Sequence, residues 1–110
     1  MICAMEGTLQ ELLNELKDAL QRVYGSNLRG VYLYGSYARN QEEVESDVDL
    51  LIILKEYKDF WEEVQRTGQL ISDLSLKYNV TISPAHVKEA DWVEGDSPFF
   101  HNVRKDGVPV

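Results

Sequence analysis

Asp47 and Asp49 are separated by one residue, Val48, and stand at the head of the longest apolar run in the chain, Leu50-Leu51-Ile52-Ile53-Leu54. In an extended strand, residues two apart share a face and lie about 7 Å apart, given a rise of about 3.3 Å per residue. Two hard carboxylates facing together suit Mg²⁺ or Mn²⁺, ions that keep several waters and share a few protein carboxylates with substrate phosphates. A solvated strand end could carry the same pair with no ligand. The placement favours a metal, because carboxylates at the head of a buried strand are costly unless paired or metal-bound. Upstream, Gly35 lets the backbone approach a ligand closely, and Ser36 offers a hydroxyl and an amide N–H to phosphate oxygens. Arg39 adds a cation. Gly-Ser after a strand by itself describes only a turn; the conjunction of turn, cation and paired acids is what suggests chemistry.

These residues need elements to hold them. Leu9, Leu12, Leu13, Leu16, Ala19, Leu20 and Val23 recur at three- and four-residue spacing, the buried stripe of an amphipathic helix. Thr8 with Glu11 reads as a capping box at its start and Gly25 as its stop, which leaves residues 1–7 as a frayed terminus. Gly30-Val31-Tyr32-Leu33-Tyr34 reads as a strand running into the Gly35-Ser36 turn. Residues 37–46 are polar and acidic, and 47–54 form a strand covered on both faces. A second helical stripe, Trp61, Val64, Gly68, Ile71 and Leu74, spans about 59–77, with Gly68 costing about 1 kcal/mol. A third strand follows at about 80–87, where Pro84 implies an edge position or a bulge. Ser97 as N-cap and Pro98 at the first helical position start a last helix that ends near Lys105, with Gly107 beyond it. The order helix, strand, strand, helix, strand, helix specifies an α/β two-layer sandwich, a small mixed sheet with helices mainly on one face.

Composition bounds the function. With 110 residues, 44% of them hydrophobic and 27% charged, the chain has the size and content of one domain with one core, 1–110. The balance of 11 basic against 19 acidic residues, net −8, argues against broad nucleic-acid binding and for a basic partner. The single cysteine, Cys3, cannot form an internal disulfide. With no signal-peptide pattern and no apolar run near the roughly 20 residues that span a bilayer, the expectation is a cytoplasmic protein without membrane attachment.

The string Gly35-Ser36-x-Ala38-Arg39-x, a short acidic loop, and Ser46-Asp47-x-Asp49-Leu50 resembles the signature of the nucleotidyltransferases of the DNA polymerase β superfamily, specifically the minimal nucleotidyltransferase group. The compatible order of elements extends the resemblance over about residues 8–106. It implies that Gly35 and Ser36 grip the triphosphate of ATP and that Asp47 and Asp49 hold magnesium ions, which neutralise the triphosphate and activate an attacking hydroxyl. The chain departs from the pattern twice. Asn40 stands where a glycine is usual, a mild change because asparagine tolerates left-handed backbone. Thr81 stands at the position aligned with the third carboxylate of active members. The nearest other acid, Asp73, is read as buried in the second helix.

The resemblance also implies a partner. Larger members carry an extra domain for base and acceptor selection, whereas minimal ones pair with a helical HEPN-domain protein in toxin-antitoxin modules. There the nucleotidyltransferase is the antitoxin, and some transfer AMP from ATP to a tyrosine of the toxin. The expected function is therefore Mg-dependent transfer of AMP to a hydroxyl of a HEPN toxin. The alternative is a fold that lost its third acid and neutralises the partner by binding alone. His86 and His101 are read as structural or surface residues. The apolar end of the chain, Trp92, Phe99, Phe100, Val108 and Val110, is either core or a homo- or hetero-oligomer interface.

Overall fold

The computed structural model describes residues 2–35, 38 and 47–110, with side chains from Thr8 onward. The leucine stripe folds as α1 (Ile2–Tyr24), with Leu12, Leu16 and Leu20 at most 1% exposed. Helical backbone starts at Ile2, so Thr8 and Glu11 lie inside the helix and do not cap it. At the other end Gly25 adopts a positive φ of 55° and turns the chain into a short 3₁₀ segment, as its sequence position predicts. Val23, expected in the stripe, is exposed, and Tyr24 takes the buried place.

Strand β1 (Leu28–Tyr34) pairs antiparallel with β2 (Val48–Leu54), placing Tyr34 opposite Asp49. Strand β3 (Ile82–Lys88) pairs with β2 in parallel, placing Ser83 beside Asp49. A parallel pair needs a crossover, and α2 (Phe60–Tyr78) supplies it. Two short helices, α3 (Glu89–Glu94) and α4 (Pro98–Asp106), and a two-residue strand β4 (Val108–Pro109) complete a mixed four-stranded sheet of order β3-β2-β1-β4. The expected α/β class and mixed sheet are observed; α3 and β4 are additions to the expected order. Helix α4 starts as its sequence demands, with the Ser97 hydroxyl accepting from the Phe100 N–H at 3.1 Å.

Strand β2 explains its own apolar sequence, because both its faces are covered. Val48, Leu50, Ile52 and Leu54 pack with α1 and α2, and Leu51 and Ile53 pack with Val87, Val103, Trp92 and Phe100 on the other face. Each such side chain contributes about 1.5–3 kcal/mol when fully buried. At the sheet edge, the Val48 N–H donates to the Thr81 carbonyl at 2.8 Å. Successive residues of a strand turn their amides to alternate sides, so the odd residues of β3 bond β2 and the even ones face outward. Pro84 is even, sits on an edge strand as expected, and removes no ladder hydrogen bond.

Helix α2 departs from its expected stripe. Asp59 is its N-cap, accepting from the Trp61 N–H at 3.0 Å, and that geometry turns Trp61 to solvent at 61% exposed. The buried side instead runs through Glu63, Thr67 and Leu74, with Leu70, Ile71 and Tyr78 partly buried against the core; Gly68 is exposed. Of the expected stripe, Ile71 and Leu74 lie on this face while Trp61 and Gly68 do not; apolar spacing missed the first half of the face because Glu63 and Thr67 are polar.

Candidate active site

Asp47 immediately precedes β2 and is exposed, while Asp49 is the second residue of the strand and is half-buried. Alternation places Asp49 on the face of Leu51 and Ile53, away from α1 and α2. Gly35 closes β1 abreast of this carboxylate with a φ of 77°, a conformation costing L residues about 1–2 kcal/mol. A Cβ at Gly35 would run into the Asp49 carboxylate, meeting Oδ2 and lying 3.3 Å from Cγ. Glycine is thus required here both by backbone angle and by the space the acid occupies. Ser36 and Arg39, the expected phosphate contacts, lie outside the described residues, as do Asn40 and the acidic stretch 41–46.

Two neighbours were not singled out from the sequence. The Ser83 hydroxyl donates to Asp47 Oδ2 at 3.1 Å, bridging β3 to the head of β2. Tyr34, opposite Asp49, packs edge-on against Phe99 with ring centroids 5.3 Å apart. Burial, together with the Asp49 charge, pushes the Tyr34 phenol above its ordinary range, so it stays a neutral hydroxyl at the rim of the site. Strand parity was a usable signal for Ser83, since it is two residues from Thr81. For Tyr34 only the β1–β2 register reveals the juxtaposition.

Thr81 itself is exposed just ahead of β3, and the bond from Val48 to its carbonyl sets it level with Asp47. Asp73, expected to be buried, is exposed on α2 and accepts from Gln69 at 2.8 Å. It is buried only in the linear pattern, because the real inner face of α2 is rotated away from it. Among the described residues, no group of three or more His, Cys, Asp and Glu is arranged to hold a metal ion.

The opposite face of the sheet carries a separate polar cluster. Glu63, 3% exposed, accepts from the Tyr24 hydroxyl at 2.8 Å and from Arg66 at 3.2 and 3.3 Å. Thr67 bonds the Glu63 carbonyl at 3.0 Å and faces His86 Nε2 at 3.4 Å. His86 is buried, with no hydrogen-bond partner for Nδ1 among the described residues, and its burial holds the imidazole below its usual range while Glu63 pulls the other way. His101 is exposed on α4. Of the C-terminal apolar residues, Trp92 and Phe100 pack in the second core cluster and Val110 against the first, while Phe99 and Val108 remain exposed. Among the described residues, no helix is long and apolar enough to cross a membrane.

Comparison with known proteins agrees with this geometry. Residues 14–109 match the family model described as polymerase beta, nucleotidyltransferase. The chain is 39% identical over 100 residues to the inferred protein adenylyltransferase MJ0141 of Methanocaldococcus jannaschii, covering 91% of this chain and 96% of that one. A second inferred protein adenylyltransferase of that organism, MJ0604, is 30% identical over 99 residues, covering 89% and 93%. In fold, the chain is similar to a toxin-antitoxin crystallised with AMP-PNP, at a TM-score of 0.61 and 17% identity over 86% of this chain and 69% of that one. It is also similar to an inferred nucleotidyltransferase from Sulfolobus solfataricus, at a TM-score of 0.62 and 22% identity over 96% and 84%. A family match over residues 14–109 and a relative 39% identical across 91% of the chain show that this protein belongs to the polymerase beta nucleotidyltransferase family.

Proposed function

We propose that this chain transfers AMP from ATP to a hydroxyl group of a separate, basic HEPN-family protein and thereby acts as its antitoxin. The observation that carries the proposal is the pair Asp47 and Asp49 on one face at the head of β2, beside a glycine whose missing side chain makes room for the Asp49 carboxylate. The names of the relatives support the transferase half, and the toxin-antitoxin structures of similar fold support the partner half. A net charge of −8 suits a basic partner.

The donor set fits a divalent cation: two hard carboxylate oxygens donors on one face, one exposed and one half-buried. Asp47 and Asp49 would hold Mg²⁺ or Mn²⁺, which when bound neutralises triphosphate charge and favours attack by a hydroxyl. In the transfer, the acceptor oxygen bonds to the α-phosphorus, the bond to pyrophosphate breaks and the hydroxyl proton is released. The protein's part is placement. Strand β2 fixes the spacing of the two acids, and Gly35 keeps the end of β1 clear of Asp49. Tyr34, kept neutral, adds no further anion to the two acids.

One observation favours a second reading. Where a third acid is expected, the structure has hydroxyl residues, Thr81 level with Asp47 and Ser83 beside Asp49. On that reading the fold silences its partner by binding alone. Incubation of the chain with α-labelled ATP, Mg²⁺ and the helical protein encoded beside it, followed by intact mass, separates the two. A gain of AMP on the partner that disappears in Asp47→Asn and Asp49→Asn establishes the transferase. A stable complex with no mass gain establishes the binding reading.

A further inference from the structure

We infer that Ser83 is a positioning residue for Asp47, fixing one carboxylate oxygen so that the other is presented to the cation; this rests on the reading of Asp47 and Asp49 as a cation site. The two acids reach the site with unequal support. Asp49 lies within β2, half-buried, paired in register with Tyr34 on one side and Ser83 on the other. Asp47 precedes the first residue of the strand and is exposed. An exposed aspartate samples several rotamers, and ordering it is part of what cation capture costs.

The hydrogen bond from Ser83 to Asp47 Oδ2, 3.1 Å, removes much of that freedom before any ligand arrives. It engages one lone pair of one oxygen and leaves Oδ1 with its full acceptor capacity. A hydroxyl donor also eases the mutual repulsion of two like charges on one face, which an additional acid would increase. Ser83 is itself well anchored. It is an odd residue of β3, so its backbone bonds β2, and the following Pro84 confines it to extended conformations. The β2–β3 register therefore sets where the hydroxyl points, and Pro84 protects that register without consuming a ladder bond.

Titration of the purified chain with Mn²⁺, with free ion followed by electron paramagnetic resonance, tests the inference. The wild type binds, Asp47→Asn binds far more weakly, and Ser83→Ala loses affinity by about three- to tenfold, the value of one hydrogen bond. Ser83→Thr, which keeps the hydroxyl, restores affinity to within about twofold, and circular dichroism melts report that each variant is folded. A folded Ser83→Ala that binds within about twofold of wild type overturns the inference and leaves the cation site standing. A Ser83→Thr no better than Ser83→Ala overturns it as well, because the effect then belongs to packing and not to the hydroxyl. A wild type that binds no Mn²⁺ and is unchanged by Asp47→Asn overturns the cation site itself and this inference with it.

Discussion

Two carboxylate clusters lie on opposite sides of the sheet, one on α2 and one at the head of β2, and they are built to opposite ends. Glu63 is buried and its oxygens are taken by the Tyr24 hydroxyl and the Arg66 guanidinium, so its bonding capacity is spent inside the protein. Asp47 is exposed and receives a side-chain hydroxyl, from Ser83, while Asp49 is half-buried with its carboxylate seated in the space that Gly35 leaves. A buried acid without partners would be very costly, so Glu63 must be satisfied for the fold to stand. The acids at the head of β2 stay partly in water, so the fold does not impose the same obligation on them. Burial together with saturation marks Glu63 as an acid that serves stability; the partial exposure of Asp47 and Asp49 suits the cation site proposed for them.

Substitutions can break this contrast, the largest effect first. Asp49→Asn is expected to abolish AMP transfer, by about a thousandfold or more if the metal site is lost, while leaving the thermal midpoint within a degree or two of wild type. Glu63→Ala is expected to do the reverse, costing about 2–3 kcal/mol in chemical denaturation because Tyr24 is left unpaired in the core, with transfer per folded molecule unchanged. Arg66 adds little to that figure, since it is 43% exposed and keeps its ion pair with Glu62. Equal stability losses in both variants would end the distinction.

Gly35→Ala falls between the two. It combines a positive φ with a collision at Asp49, so both readouts should move: about 1–2 kcal/mol of stability and a loss of transfer from displacement of the carboxylate. A variant that loses stability but transfers normally would show that the glycine serves the turn alone.

The buried face also has a pH signature. His86 has its folded-state value depressed below the ordinary 6.5 by burial, so the unfolded chain binds its proton first as pH falls. The stability linked to neutral His86 is therefore present above about pH 6.5 and is lost as pH falls below it toward the folded-state value. Denaturant midpoints should drop across that window, and His86→Gln should flatten the dependence there. The smallest effect belongs to neither cluster. Gly68 is exposed on α2 with nothing near where a Cβ would project, so Gly68→Ala should stabilise by about 0.5–1 kcal/mol with transfer unaltered.

Local sequence was enough to reveal most of the elements, though not α3 or β4, and to set two acids at the head of a strand. Leucine spacing specifies α1, the apolar run specifies β2, Ser97-Pro98 starts α4, and Asp-x-Asp at a strand head puts two acids on one face; all of these depend on residues close together in the chain, whose geometry is set by helical and strand periods. What spacing could not reach were features made by pairing across the chain. The inner face of α2 carries Glu63 and Thr67, polar residues that become tolerable there only because Tyr24 and His86 arrive from α1 and β3 to meet them. Ser83 and Tyr34 join the acids only through the β2–β3 and β1–β2 registers. Periodicity reports which side of an element is apolar, but hydrogen-bond partners from distant segments decide which polar groups can be buried, and that choice is made only when the sheet is assembled.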